Sequence, residues 1–568
     1  LEALLPRPSW AQVCRRKCSM PLWPAAFSGR LLVPLLLASG SLPRACRAEG
    51  TDEEGTCAAD GSCPPSKGAA AEQKQGYYWP QQKGDVNRTG LSPYKAPFDL
   101  SGGPKWTWKD TEYDVSRFTP LIDDERNIYH ITINGRFFKF SPEGTLLWQY
   151  NSGYQLPAVP ALMDGSIFFN RKDGVIVALD MKTARVKWEQ KISGSTGGDT
   201  ACVYAVDGLV VSATAIGPPQ IQGMGENNAV VALRASDGSH VWTFRHKWVT
   251  FNWQASSPGD GTMVFQDRTG GVYRLSLKDG TQLWESGVVD RAEGDFTTGA
   301  AVVGPNGIVY ASSNYRGSGI IHAYRLTDGR PVWRRTFDMP VNQAVAVGRL
   351  AGSERLSVVS GIGKNPFLAA VLYAALILFA VDAAALCVCG CCCCVRACAG
   401  RRFRCCRSLL ALLLLVAVQV PCLWAYHQLS LAWEAEPPWL FFGSPKPAAM
   451  LALDAETGET RWSYAPPAFH KPACESDESM LMPRLYQAAV LQRPGEPFCL
   501  PDNWAQMVID ASGTAYAGHQ DGYIYAVRDA DGSGGIDPEL EVSRYFVGAA
   551  FQASQAIAPG ILAVVPCG

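Results

Sequence analysis

The chain has 568 residues, with 51 Lys and Arg against 52 Asp and Glu, a net charge of −1 and 47% hydrophobic residues. That is enough apolar material for one large core or several small ones, and too much for a chain disordered throughout. The near-neutral balance, with no Lys/Arg stripe interleaved with aromatics outside the cysteine-rich region, argues against nucleic acid as a partner, while 7 His beside 17 Trp, 55 Gly and 38 Pro suits a turn-rich β protein better than a metal or acid–base enzyme.

Residues 1–48 read as a targeting segment. Arg15, Arg16, Lys17 and Arg30 precede the apolar run LLVPLLLASGSL (31–42), and small residues at Cys46 and Ala48 mark a cleavage position before Glu49. The run is short for a membrane span, so a cleaved signal is preferred to an uncleaved anchor. Residues 49–103 are polar and rich in Gly, Pro, Ser and Lys, and read as a disordered linker. This linker carries Asn-Arg-Thr at Asn87, a candidate glycosylation site on a secretory route. Cys57 and Cys63 form one candidate disulfide pair within it.

From residue 104 a unit of eleven residues recurs, each copy ending in Trp. The copies are FKFSPEGTLLW (138–148), ALDMKTARVKW (178–188), ALRASDGSHVW (232–242), RLSLKDGTQLW (274–284), AYRLTDGRPVW (323–333) and ALDAETGETRW (452–462). Alternating β-rich runs bounded by Asp-Gly or Gly-Gly precede most of them, spelling strand, hairpin, strand, polar turn, strand. An Asp, Glu or Thr supplies the side-chain bond that opens the turn, and Gly takes the left-handed position that closes it; Ala184 replaces that Gly in the second copy. Trp148, Trp188, Trp242, Trp284 and Trp333 fall 40, 54, 42 and 49 residues apart, the period of four-stranded propeller blades, and Trp462 closes the sixth copy. Each indole is expected to wedge between neighbouring sheets.

Residues 366–445 interrupt this pattern. Two apolar runs of near-spanning length, 366–386 and 409–426, flank a tract with nine of the chain's 19 cysteines and with Arg396, Arg401, Arg402, Arg404 and Arg407. The reading is a transmembrane hairpin with a basic cytosolic loop, touching membrane lipid through 366–426. Two crossings return the chain to the side it left, so one ring can close around the insertion. A reducing cytosol disfavours disulfides there, and Cys391, Cys392, Cys393, Cys394, Cys405 and Cys406 are candidates for palmitoylation. Small apolar cysteines that merely extend the first helix explain the tract equally well, and a zinc site at Cys391 and Cys394 lacks a second separated pair. A compositionally foreign block inside a repeat also fits retained non-coding sequence.

The interrupted blade resumes at 446, and a seventh, degenerate unit at 507–532 has strands without a closing Trp, which PKWTWKD (104–110) is expected to supply. Cys474 and Cys499 bracket a Pro-rich excursion and are the preferred disulfide candidate. DADGSGGIDPEL (529–540) places Asp529, Asp531, Ser533 and Asp537 at positions 1, 3, 5 and 9 of an acidic calcium loop. Leu540 holds position 12, where a bidentate Glu belongs, so binding is expected to be weak, and a plain polar turn is an equal reading.

The Trp-terminated units resemble the PQQ-like repeat family, whose motif is Ala-x-Asp-x-x-Thr-Gly-x-x-x-Trp; ALDAETGETRW meets it at every fixed position and the other copies in part. The resemblance covers roughly 104–365 and 446–568. It implies a fold shared by quinoprotein dehydrogenases, a bacterial outer-membrane assembly lipoprotein and lumenal stress sensors, and does not imply one chemistry. In the enzymes it implies a calcium-bound quinone beside a disulfide of adjacent cysteines. The propeller-side Cys202, Cys474, Cys499 and Cys567 include no adjacent pair.

The expectation is therefore an all-β chain: a single propeller of about seven four-stranded blades, six or eight being alternatives, split by a two-helix transmembrane insertion and preceded by a disordered N-terminal segment. The domain plan is 1–48, 49–103, 104–365, 366–445 and 446–568. The expected role is a membrane-anchored scaffold of the secretory pathway or cell surface, its propeller lumenal or extracellular, binding a protein or peptide through its loops and central channel. Neither quinone nor catalytic residues are expected, and calcium is left open. A PQQ- or calcium-dependent quinoprotein oxidoreductase is the alternative.

Overall fold

The repeated units fold into seven four-stranded antiparallel blades, with strands in sequence order within each sheet. In this computed structural model the described residues are 76–110, 116–198, 201–217, 227–287, 297, 299–315, 317–363, 413, 417, 447–467 and 503–567, all within the unit Glu72–Gly568. Blades 1 to 5 occupy 121–151, 161–191, 204–250, 255–286 and 301–337. Blade 6 is built from Ala346–Arg349, Leu356–Gly363, Ala448–Asp454 and Thr460–Tyr464, and blade 7 from Val508–Ile509, Ala515–Gly518, Tyr523–Val527 and Val542–Phe546. The expected transmembrane hairpin lies outside the described residues, apart from Leu413 and Ala417; among the described residues no helix is long and apolar enough to cross a membrane.

Burial explains the sequence pattern along each blade. A second strand such as Ser166–Asn170 is covered on both faces by neighbouring blades and is buried along its whole length, so it reads as a continuous apolar run. An outer strand such as Val186–Lys191 meets solvent and alternates between exposed and half-buried positions. The core is accordingly the set of contacts between blade faces: Phe137, Phe169, Leu179, Val211, Phe265 and Leu275, for example, join blades 1 to 4 in one cluster.

The eleven-residue unit is a docking device between blades. The indole Nε1 of Trp188 in blade 2 donates to the Ala235 carbonyl in the turn of blade 3, at 2.9 Å, and Trp242, Trp284 and Trp333 repeat this one blade further on, to Leu277, Leu326 and Ala455 at 2.7, 2.8 and 2.9 Å. Trp148 makes the same bond to Met181 at 3.2 Å. The turn glycine lies beneath the ring: Gly458 has φ +72°, and a Cβ added there would come within 2.7 Å of the Trp333 ring. Gly458 is therefore favoured twice, by backbone angle and by space. In blades 2 to 6 the Trp pairs across the ladder with the first residue of its unit, as Ala452 faces Trp462, followed by a bulge. In blade 1 the partner of Trp148 is Lys139, because that turn is one residue shorter.

Two expectations are corrected here. Blade 7 has its own outer strand, Val542–Phe546, so PKWTWKD does not complete it. Trp106 instead docks on blade 1: its Nε1 donates to the Pro142 carbonyl at 3.1 Å and its ring covers Gly144, while the Trp108 ring lies tilted against Phe138 with centroids 4.6 Å apart. The strand pair Ala556–Ala558 and Ile561–Ala563 shares a core cluster with Ile122 of blade 1 and Tyr516 of blade 7, and so stands between the first and last blades.

The second correction concerns residues 76–103, expected as linker. They form an axial strap whose backbone meets the blades in order. Trp79 exchanges two 2.9 Å bonds with Ile122 of blade 1; the Pro80 carbonyl accepts from Leu162 of blade 2; that of Val86 accepts from the Tyr204 hydroxyl of blade 3 and from Ser257 N beside blade 4. Asn87, Thr89 and Gly90 then accept from Val303, Val347 and Ile509 of blades 5, 6 and 7. The strap leaves along blade 7, where Leu100 N donates to Ser543 Oγ at 2.8 Å.

Candidate functional site

The central channel, expected to be open to a partner, is threaded by this strap. Lys83, fully buried, donates to the Val345 carbonyl at 2.6 Å, and burial drives its ammonium down to about 7, Asp85 opposing and Arg88 adding. Arg88, also fully buried, donates to the carbonyls of Gln82 and Ala255 and lies over the Tyr204 ring. Asp85 accepts from the Thr89 amide and hydroxyl at 2.9 and 2.6 Å. Gly90, at φ +70°, passes so close to the Met507 carbonyl that a Cβ would lie 2.9 Å from it. The sequon belongs to the same strap: Thr89 is 5% exposed and Asn87 is half-buried.

A cleft with about 10 Å³ of water-accessible space, room for about one water molecule, opens between blades 5, 6 and 7, lined by Pro340, Asn342, Gln343, Gly361, Gly363, Asn503 and Trp504. Chambers for drug-sized ligands run to roughly 300–1,000 Å³. A fused-ring quinone with a disulfide of adjacent cysteines does not fit the described residues. The axis is occupied from Trp79 to Ser92, and the cysteine beside Arg88, Cys202, is single and buried, with burial raising its thiol.

The acidic loop of blade 7 connects Tyr523–Val527 to Val542–Phe546. It brings Asp529 and Asp531 together with Glu541, with candidate ligand oxygens all within 4.8 Å of one another. Ser533 and Asp537 turn away: Ser533 Oγ donates to the Gly535 carbonyl, and Asp537 Oδ1 caps the amides of Glu539 and Leu540. Sequence reasoning missed Glu541, which sits at position 13, one place beyond the expected Glu. Burial pushes the Asp529 carboxyl up, the charges of Glu541 and Asp531 adding to it against the Gly534 amide.

All six expected docking tryptophans stand at blade junctions, but Trp462 differs from the other five. It is 3% exposed and its Nε1 has no protein acceptor among the described residues, because blade 7 presents the acidic loop where other blades present a docking turn. Cys567 is disulfide-bonded, to a partner outside the described residues. Cys474, Cys499 and the candidate palmitoylation cysteines also lie outside them.

A family model described as the outer membrane protein assembly factor BamB matches residues 133–355. The chain is a β-propeller of PQQ-like repeats. This PQQ-like propeller is 24% identical over 236 residues to the outer membrane protein assembly factor BamB of Burkholderia pseudomallei (strain K96243), covering 35% of the chain and 61% of that relative. It is 27% identical over 194 residues to the protein named as a dehydrogenase, XoxF, of Paracoccus denitrificans, covering 30% and 31%. It thus spans less than two thirds of either relative. The quinohemoprotein alcohol dehydrogenase of Comamonas testosteroni has a similar fold, with TM-score 0.53 and 12% identity, covering 87% of this chain and 76% of that one.

Proposed function

We propose that this PQQ-like propeller is a membrane-anchored, non-catalytic scaffold that holds a protein or peptide partner on its blade loops and outer faces, on the lumenal or extracellular side. The observation that carries this reading is the strap: its backbone already occupies hydrogen-bonding groups on all seven blades at the axis, where an enzyme of this fold needs a chamber. Similarity to proteins named as outer membrane assembly factors supports a protein-handling role. Anchoring is assigned to residues 366–445, with palmitoylated cysteines holding the basic loop to the cytosolic leaflet.

The test is to incubate the purified full chain with pyrroloquinoline quinone and calcium and assay dye-linked alcohol oxidation, alongside proximity labelling from a tag on the propeller. Turnover with the quinone overturns the scaffold reading in favour of the oxidoreductase. Absence of turnover, together with a lumenal partner set lost when loop residues are substituted, supports it.

A further inference from the structure

The acidic loop of blade 7 holds more negative charge than its surroundings compensate. Asp529 and Glu541 are 7% and 5% exposed, and Asp531 is at the surface beside them. Among the described residues no Lys or Arg pairs with any of the three. Glu541 is tied into place through both oxygens: Oε1 accepts from the Ala530 and Asp531 amides at 2.5 and 3.4 Å, and Oε2 accepts from Asp537 N at 3.0 Å. It thereby draws the two ends of the loop together. Asp529 Oδ2 accepts from Gly534 N at 3.1 Å, but Asp529 Oδ1 is buried with no protein donor. A buried carboxylate oxygen without a donor, facing two further carboxylates, is relieved by a bound cation or by a proton shared between Asp529 and Asp531.

The ligand atoms narrow the choice. All are oxygens, with no His or Cys in the group, which disfavours zinc and suits a hard cation. The loop turns through Gly532 and Gly534 at φ +68° and +80°, leaving backbone carbonyls and water to complete an irregular shell, as calcium accepts and magnesium does not.

We propose that Asp529, Asp531 and Glu541 bind a calcium ion, and that this ion stiffens the surface on which blade 6 docks. Ile536 of the same loop packs on the core cluster that contains Trp462. Blade 6 lacks the indole-to-carbonyl bond made at the five preceding Trp-docking junctions, so an ordered loop is the substitute. The ion joins blades 6 and 7 at the outer edge of the ring, beside the blade whose strands flank residues 364–447.

The full chain, stripped with chelator, is titrated with calcium chloride by calorimetry at pH 7.5 and melted in 1 mM calcium or 1 mM magnesium. Binding with a rise of several degrees in calcium, and little in magnesium, is expected. Asp531→Asn, at an exposed position that leaves folding intact, should weaken binding at least ten-fold, whereas Asp537→Asn should bind as wild type. A calcium-induced change in tryptophan emission should disappear in Trp462→Phe. No heat and no shift at 1 mM calcium would mean that the carboxylates share a proton instead, and overturns the proposal. Unchanged affinity in Asp531→Asn, or an equal response to magnesium, overturns it as well.

Discussion

Gly363 and Ala448 are paired across the ladder of blade 6, the last register pair between two adjacent strands, although residues 364–447 lie between them in the chain. The intervening block therefore leaves the blade and re-enters it at neighbouring points. Seven consecutive pairs, from Ser357 with Asp454 to Gly363 with Ala448, hold the two strands together on their own. Replacing 364–447 with Asn-Gly, the two-residue turn suited to such a ladder, should preserve cooperative unfolding and shift the melting temperature by only a few degrees. Loss of the cooperative transition in calorimetry would show that the block is needed for the blade.

The contrast between Trp333 and Trp462 separates the hydrogen bond from the packing. Trp333→Phe removes the bond to Ala455 and should cost about 1 kcal/mol beyond the loss of ring volume. Trp462→Phe removes an indole N–H that has no protein acceptor among the described residues, so only the volume term applies. Urea unfolding of both variants in calcium-free buffer checks this. Equal losses would refute the assignment.

Ala184 occupies the turn position where blades 3 to 6 place Gly, and holds φ +54°. A left-handed backbone costs an L-residue roughly 1–2 kcal/mol, while glycine loses about 0.5–1 kcal/mol more entropy on ordering. Ala184→Gly should therefore stabilise the chain by about 0.5–1 kcal/mol, seen as a higher urea midpoint at unchanged slope. A lower midpoint would mean that the alanine methyl contributes packing worth more than the strain.

Lys83 makes stability depend on alkali. Its folded value of about 7 lies below the 10.5 of a solvated lysine. Between them the unfolded chain retains a proton that the folded chain has released, so stability rises with pH across that window, at up to about 1.4 kcal/mol per unit. Below pH 7 both states are protonated and the dependence vanishes. Lys83→Met should flatten the increase in urea midpoint between pH 7 and 9, whatever its effect on absolute stability. Parallel pH profiles for the two proteins would exclude the assignment.

The docking units were readable in the sequence because their roles are local: Asp454 bonds the amides of Glu456 and Thr457, Gly458 turns, and Trp462 follows at fixed distance. The strap was not, because it meets the blades through scattered bonds of its backbone groups, in blade 3 to the Tyr204 hydroxyl. Trp79, Pro80, Val86 and Gly90 need no shared periodicity to do so, and a polar, Gly- and Pro-containing stretch looks like linker. Glu541 escaped for a related reason: its carboxylate is recruited by a turn in which Glu541 N donates to the Asp537 carbonyl, adding one residue to the expected spacing.

The strap also imposes a schedule on biosynthesis. Ile122 leaves the ribosome long before Ile509, yet both must be bonded to the same short stretch in the finished protein. The nascent chain thus carries its hub ahead of every spoke, and each newly made blade can be gathered onto an element already present. Its last partner is not available until blade 7 has been translated, so the hub stays partly unsatisfied through most of synthesis.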